Sequence, residues 1–177
     1  MRNRSHLSPA VTQAFLLAAI VIASVGVAPS ALAQSQQIVA TVRVGSGPAG
    51  VAYDPAKGEV FVTDLLNDSV SVISDATNAV VATVKVGSHP AGAAYDPSKG
   101  DVFVTNAFDN TTSVISDSSD AVVATVKVGG GPTGVAYDPA RGEAFVANYL
   151  GDTVSVISDS TNALVATVNV GLSLIHI

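Results

Sequence analysis

An all-β chain built of repeated four-stranded antiparallel blades, a β-propeller, is what this sequence predicts, and three observations carry the prediction. Segments 46–87, 88–129 and 130–171 align without a gap at a period of 42 residues, with 21 of the 42 positions identical in all three. Valine, isoleucine and threonine dominate each repeat, in short runs bounded by Asp-Pro-x-Lys/Arg-Gly and Ser-Asp turn signals. No segment of the repeats sustains a helical period. Repeats of about 40 to 50 residues that hold four strands each are the blades of a propeller.

Along the chain, residues 1–33 read as an address. Arg2 and Arg4 open a basic start, 14 mostly apolar residues run from Ala14 to Val27, and Ala31-Leu32-Ala33 sets small residues two apart before Gln34. This is the order of a secretory signal. The apolar stretch is short of the roughly 20 residues a spanning helix needs. Cleavage after Ala33 and an exported product, periplasmic, secreted or on the cell surface, are expected.

Residues 34–45 are a lead-in. Within it Val39-Ala40-Thr41-Val42-Arg43-Val44-Gly45 matches Val81-Ala82-Thr83-Val84-Lys85-Val86-Gly87 and reads as a fourth strand standing ahead of the first blade. Each of the blades 46–87, 88–129 and 130–171 then reads alike. In the first, Gly50–Asp54 is the inner strand, closed by Asp-Pro-x-Lys/Arg-Gly, where Pro presets the turn and Gly takes positive φ at low cost. Glu59–Thr63 and Val70–Ser74 follow. Val80–Val86 is the outer strand, with Val80, Ala82, Val84 and Val86 expected on one face and Val81, Thr83 and Lys85 on the other.

The tetrapeptides Phe61-Val62-Thr63-Asp64, Phe103-Val104-Thr105-Asn106 and Phe145-Val146-Ala147-Asn148 resemble the Tyr-Val-Thr-Asn of the YVTN-repeat propellers. The strings Gly-Pro-x-Gly-Val-Ala-Tyr-Asp-Pro and Val-Ser-Val-Ile-Ser-Asp are similar to the same family, including its YncE-like exported bacterial members, and the likeness covers Val39 to Gly171. Phe replaces Tyr in every copy, which weakens any role for a phenolic hydroxyl there. The resemblance implies a propeller, usually seven-bladed, exported or displayed on the cell surface. It implies no single activity, because propellers host many.

A propeller closes by lending a leading strand to a last blade that lacks its own. Here the third repeat already has Ala163–Val170, so the leading strand has no partner within the chain. Three blades are also fewer than the four to eight of a closed ring. The tail Leu172-Ser173-Leu174-Ile175-His176-Ile177 leaves the repeat pattern and resembles a translated transposon-end sequencing adapter, so a non-native tail is expected. The expectation is the N-terminal part of a longer reading frame. Self-association of short chains into a ring, with the leading strand swapped, is the rival.

Composition excludes several function classes. With no cysteine, one methionine, no tryptophan and three histidines, a disulfide framework, a Cys-based metal site and a CxxC redox pair are impossible. The address removes two arginines and no acid, leaving six basic against 14 acidic residues, a net −8. Phosphate binding needs a basic surface, so nucleic acid, a partner of some YncE-like relatives, is not expected. No Gly-x-Ser-x-Gly, Walker loop, HExxH or Rossmann glycine set is present.

In an antiparallel meander the first and third turns of each blade share one rim, and the middle loop and the link to the next blade share the other. The turn rim is near-constant and explained by turn chemistry. The loop rim varies: no position from Thr63 to Val70 is identical in all three repeats. Candidate contacts therefore sit there. His89 stands where the other copies have Gly47 and Gly131, and could be a ligand contact or simply an exposed loop residue. Leu66, Phe108, Tyr149 and Leu150 could form an apolar contact ring or cap the blades. Asp68, Asp109 and Asp152 could attract a cation or form turns. Tyr53, Tyr95 and Tyr137 recur at one place and read as structural. Asp64, Asn106 and Asn148 are expected to satisfy loop backbone groups. No catalytic residue, metal set or cofactor is assigned. The function expected is an exported binding or scaffold module whose loop rim contacts a protein, a glycan or a small ligand. The alternative that the resemblance implies is a propeller enzyme, quinoprotein-like dehydrogenase or lactonase-like, with catalytic residues in further blades.

Overall fold

Strand-forming residues between turn signals leave the backbone one way to satisfy its polar groups, which is to pair with itself in short meanders. The computed structural model describes residues 37–171, and the address 1–33 and the tail 172–177 lie outside the described residues. Three four-stranded antiparallel sheets follow in order. The first holds β1 (Pro48–Asp54), β2 (Glu59–Asp64), β3 (Ser69–Ser74) and β4 (Ala79–Lys85). The second holds β5 (Pro90–Asp96), β6 (Asp101–Asn106), β7 (Thr111–Ser116) and β8 (Ala121–Lys127), and the third β9 (Pro132–Asp138), β10 (Glu143–Asn148), β11 (Thr153–Ser158) and β12 (Ala163–Asn169). All twelve lie in one compact unit that begins at Val39.

Turn chemistry sets the first hairpin. Asp54 Oδ1 accepts the Ala56 N–H at 2.8 Å, and Gly58, at φ 67°, returns its N–H to the Asp54 carbonyl at 3.0 Å. A side chain there would meet the Asp75 carboxylate at 2.6 Å, so glycine serves both the turn and the close approach.

Two bulges recur in every sheet. Val72 pairs with Ala82 and Ile73 with Val80, leaving Val81 without an opposite residue, and Val123 and Val165 repeat this. An extra residue turns the strand over. Ala82 and Val84 therefore face the next sheet, whereas Val122, the copy of Val80, packs toward the preceding one. The single face expected for positions 80, 82, 84 and 86 is corrected by this bulge. The second bulge sets Ala49 and Gly50 of β1 against Thr63. Thr63 Oγ1 accepts the Gly50 N–H at 2.6 Å and donates to the Ala91 carbonyl of β5 at 3.0 Å. Thr105 repeats the arrangement, accepting from Gly92 at 2.8 Å and donating to the Thr133 carbonyl at 2.8 Å.

The cores lie between sheets. Phe61, Val70, Val72 and Val84 of the first sheet pack on Val102, Val104 and Ile115 of the second. Phe103, Val114 and Val126 of the second pack on Ala144, Val146 and Ile157 of the third. Each sheet thus has a forward face, turned to the next repeat, and a backward face. Every such side chain contributes roughly 1.5–3 kcal/mol by leaving water, so a sheet covered on one face alone forgoes much of its stabilisation.

The strand expected over 39–45 is not formed: these residues carry no strand assignment. β12 already holds the outer edge of the third sheet, and an unpaired strand leaves its backbone to water. Asp64, Asn106 and Asn148 also depart from expectation. Asp64 Oδ2 accepts the Ser71 hydroxyl at 2.7 Å, and Asn106 Nδ2 donates to Thr111 and Ser113 at 2.9 Å each. Asn148 bonds Thr153 and Ser155 likewise. They tie neighbouring strands through side chains, not loop backbone.

Candidate functional site

The antiparallel order places Gly58 beside Asp75 on the turn rim, where the Asp75 N–H bonds the Gly58 carbonyl at 2.9 Å, and Gly47 beside Leu65 on the loop rim, at 3.0 Å. The two rims use their polar groups differently.

On the turn rim, the repeats bond to one another. Lys57 Nζ donates to the Asp117 carbonyl of the following repeat, and Lys99 Nζ to that of Asp159. Tyr137 lies 3.4 Å from the Ser98 hydroxyl of the preceding repeat and also donates to Asp159 Oδ2 of its own at 2.7 Å. The Tyr95 phenol and the Asp117 carboxyl both lie near the Asp54 carboxylate of the preceding repeat. Burial, then the Asp54 carboxylate, pushes the Tyr95 phenol well up. Burial, then the contact with Asp54, holds the Asp117 carboxyl above the usual carboxylate range. Burial also opposes ionisation of Asp54, but the nearby Tyr95 hydroxyl and the hydrogen bonds from the Ala56 and Lys57 amides outweigh it and keep that carboxyl below the usual range. Tyr95 and Tyr137 therefore belong to a seam between repeats, while Tyr53 bonds Asp75 of its own repeat at 3.0 Å.

On the loop rim, some polar side chains hold the link and the larger apolar ones face water. Asp68 and Asn110 sit at φ 52° and 54°. Asp68 Oδ1 accepts the His89 N–H at 3.0 Å, and Asn110 Oδ1 the Gly131 N–H at 2.8 Å. Asp109 Oδ2 accepts the Ser88 N–H at 2.6 Å. Asp152, at φ 48°, takes the same place in the third repeat. Asp68, Asp109 and Asp152 are thus distributed one to a repeat, and among the described residues no three His, Asp or Glu side chains converge to hold a metal ion.

His89 adopts φ 57° where Gly47 and Gly131 adopt 69° and 62°. A side chain at Gly47 would meet Leu66 Cγ at 3.1 Å, and one at Gly131 would meet Leu150 Cγ at 2.7 Å. The second repeat replaces both partners together. The flat Phe108 takes the leucine's place and the imidazole stacks on it, ring centroids 3.7 Å apart and planes 11° from parallel. On this rim Leu66, Phe108, Tyr149 and Leu150 are 63%, 70%, 57% and 76% exposed.

The residue pattern did not single out a groove of about 450 Å³ lined by Lys85, Gly87, Asp109, Thr111, Ser113 and Thr125 among others. Its one legible signal was Asp109, where the other repeats have Asn67 and Gly151. A second hollow, of about 270 Å³, lies on the third repeat and includes Tyr149 and Asp152.

No protein-family model matches the chain, and no curated protein is significantly similar to it. Solved structures are similar in fold. The chain superposes on hydrazine synthase of Kuenenia stuttgartiensis with a TM-score of 0.65 at 24% identity, over 75% of this chain and 39% of that one. It superposes on a functionally unknown protein from Desulfotomaculum acetoxidans with a TM-score of 0.66 at 20% identity, over 76% and 46%. The chain spans less than half the length of either protein. With the three meanders packed face to face, this likeness shows the fold: the repeats are blades of a β-propeller.

Proposed function

We propose that the chain is an exported β-propeller binding module, of the YVTN-repeat kind, that engages a polypeptide partner through its loop rim. One observation carries this reading: four large apolar side chains, Leu66, Phe108, Tyr149 and Leu150, stand more than half exposed on that rim, while the turn rim's polar groups bond across the repeats. Aromatic and apolar anchors grouped on a rigid surface supply most of the energy at protein interfaces. Two of the four are leucines, which offer no flat face to a sugar ring, so a polypeptide is favoured over a glycan. The secretory pattern of residues 1–33 supports a partner outside the cytoplasm, and the net −8 disfavours nucleic acid.

The test screens the purified chain against a panel of envelope proteins and, in parallel, polysaccharides. Any binder is then titrated calorimetrically against Phe108→Ala, Leu150→Ala and the turn-rim variant Lys57→Ala. The rim substitutions are expected to weaken binding by about 10-fold or more, with Lys57→Ala neutral. Binding that tracks Lys57 and ignores Phe108 and Leu150 would overturn the reading.

A further inference from the structure

The link that enters each repeat runs beside that repeat's middle loop. The Ser46 N–H bonds Asn67 Oδ1 in the first repeat, and the Ser88 N–H bonds Asp109 Oδ2 in the second. The 42-residue period therefore sets the basic residue just ahead of each link with one loop position: Arg43 with Asn67, Lys85 with Asp109, and Lys127 with Gly151. A cation recurs at all three, and a carboxylate joins it at one. That junction, between the first and second repeats, holds the groove of about 450 Å³, and Lys85 and Asp109 both line it.

The two charges are held in place by backbone groups and not by each other. Lys85 Nζ donates to the Asn67 carbonyl at 2.9 Å, and Asp109 Oδ2 accepts the Ser88 N–H at 2.6 Å. An ammonium has further donors and a carboxylate a second oxygen, so each group keeps capacity for a ligand. The ion pairs among the described residues join Lys57 to Glu59, Lys99 to Asp159 and Arg141 to Glu143. Lys85 and Asp109 thus share a groove without neutralising one another. Two of its hydroxyls are set to donate: Thr111 and Ser113 accept from Asn106 Nδ2 at 2.9 Å each, which leaves their O–H groups available. In the first repeat Asp64 stands in the place of Asn106 and takes the protons of Ser69 and Ser71 instead. Val86 and Val122 give the groove an apolar wall.

We propose that this groove binds a small zwitterion, of the class of a free α-amino acid with a short aliphatic side chain. Lys85 and the Thr111 and Ser113 hydroxyls meet the carboxylate, Asp109 Oδ1 meets the ammonium, and Val86 and Val122 cover the side chain. A ligand with one charge of each sign answers both Lys85 and Asp109, whereas a singly charged one sets a like charge against one of them. The volume lies within the roughly 300–1,000 Å³ of small-molecule sites. The groove is separate from the exposed apolar side chains of the loop rim, so this site stands whether or not those side chains engage a polypeptide.

The experiment titrates the purified chain with alanine and valine and follows backbone amide shifts by NMR. In parallel it uses their amides, which carry only the positive charge, their N-acetyl derivatives, which carry only the negative one, and glycerol, which carries none. The amino acids are expected to bind saturably with a dissociation constant on the order of 1 mM, shifting Gly87, Thr111 and Ser113 and leaving Gly129 and Ser155 of the next junction unmoved. Each singly charged analogue is expected to bind about 10-fold or more weakly, since a charge-assisted bond is lost. Two variants then assign the charges. Asp109→Asn keeps the bond to the link, as Asn67 does in the first repeat, and is expected to bind the amino acid and its N-acetyl derivative equally. Lys85→Gln is expected to bind the amino acid and its amide equally. Circular dichroism and thermal unfolding of each variant confirm the fold. Absence of saturable binding up to about 50 mM overturns the proposal, as do shifts confined to residues outside the groove. So does a preference for the zwitterion that survives both substitutions.

Discussion

His89 is a side chain at a place the fold otherwise keeps for glycine, and its neighbour explains how it is tolerated. Histidine enters the left-handed region more readily than most residues, and Phe108 offers a flat face in place of a branched leucine. Gly131→Ala tests the opposite case. Its Cβ would press on Leu150 at φ 62°, so a loss of about 1–3 kcal/mol is expected in urea unfolding. His89→Gly combined with Phe108→Leu, which restores the pattern of the other repeats, is expected to stay within about 0.5 kcal/mol of wild type. Asp117 supplies a pH test. Burial and the Asp54 carboxylate hold its folded-state carboxyl above the usual range, so the contribution of the protonated group is fully present below the unfolded pKa of about 3.9 and is lost progressively as pH rises through the raised value. Asp117→Asn keeps a neutral partner at every pH. The variant is expected to melt about 2–4 °C higher than wild type at pH 7 and level with it at pH 3.5. No gain at pH 7 would mean that the Asp117 carboxyl is not held above the usual range.

The elements divide into those whose pattern is local and those whose pattern depends on a neighbour. All twelve strands and both hairpin turns were legible, because alternation and Asp-Pro-x-Lys/Arg-Gly act within a few residues. The outer-strand bulge was not, since Val81 looks like any strand residue until its partner strand shows the extra position. The role of Thr63 was hidden for the same reason: its hydroxyl bonds a carbonyl 28 residues away, in another sheet. The loop-rim candidates were locatable from their variation between repeats, whereas the groove beside Asp109 needs two sheets to exist and left Asp109 as its one sign in the sequence. Paired substitutions test this dependence on neighbours. Gly92→Ala, which would drive a methyl into the Thr133 carbonyl, is expected to cost about 2–4 kcal/mol, and Thr105→Val, which leaves two backbone groups unmet, about 1–3 kcal/mol. Gly134→Ala, where nothing approaches, is expected to be neutral or slightly stabilising. Equal losses at Gly92 and Gly134 would show that strand propensity, not the inter-sheet approach, demands the glycine.

At the scale of the whole molecule, stability should follow position along the stack, because each repeat touches only its neighbours. The second repeat is covered on both faces, and Val102, Phe103, Val104, Val114 and Ile115 have no exposure. The third is covered on its backward face alone, and every residue of β12 is exposed. Hydrogen exchange of the monomeric chain is therefore expected to protect β6 and β7 most and β12 least, with opening free energies that fall away from the centre. The size of the difference is set by burial: a forward face of four apolar side chains contributes several kcal/mol when covered, which corresponds to orders of magnitude in protection.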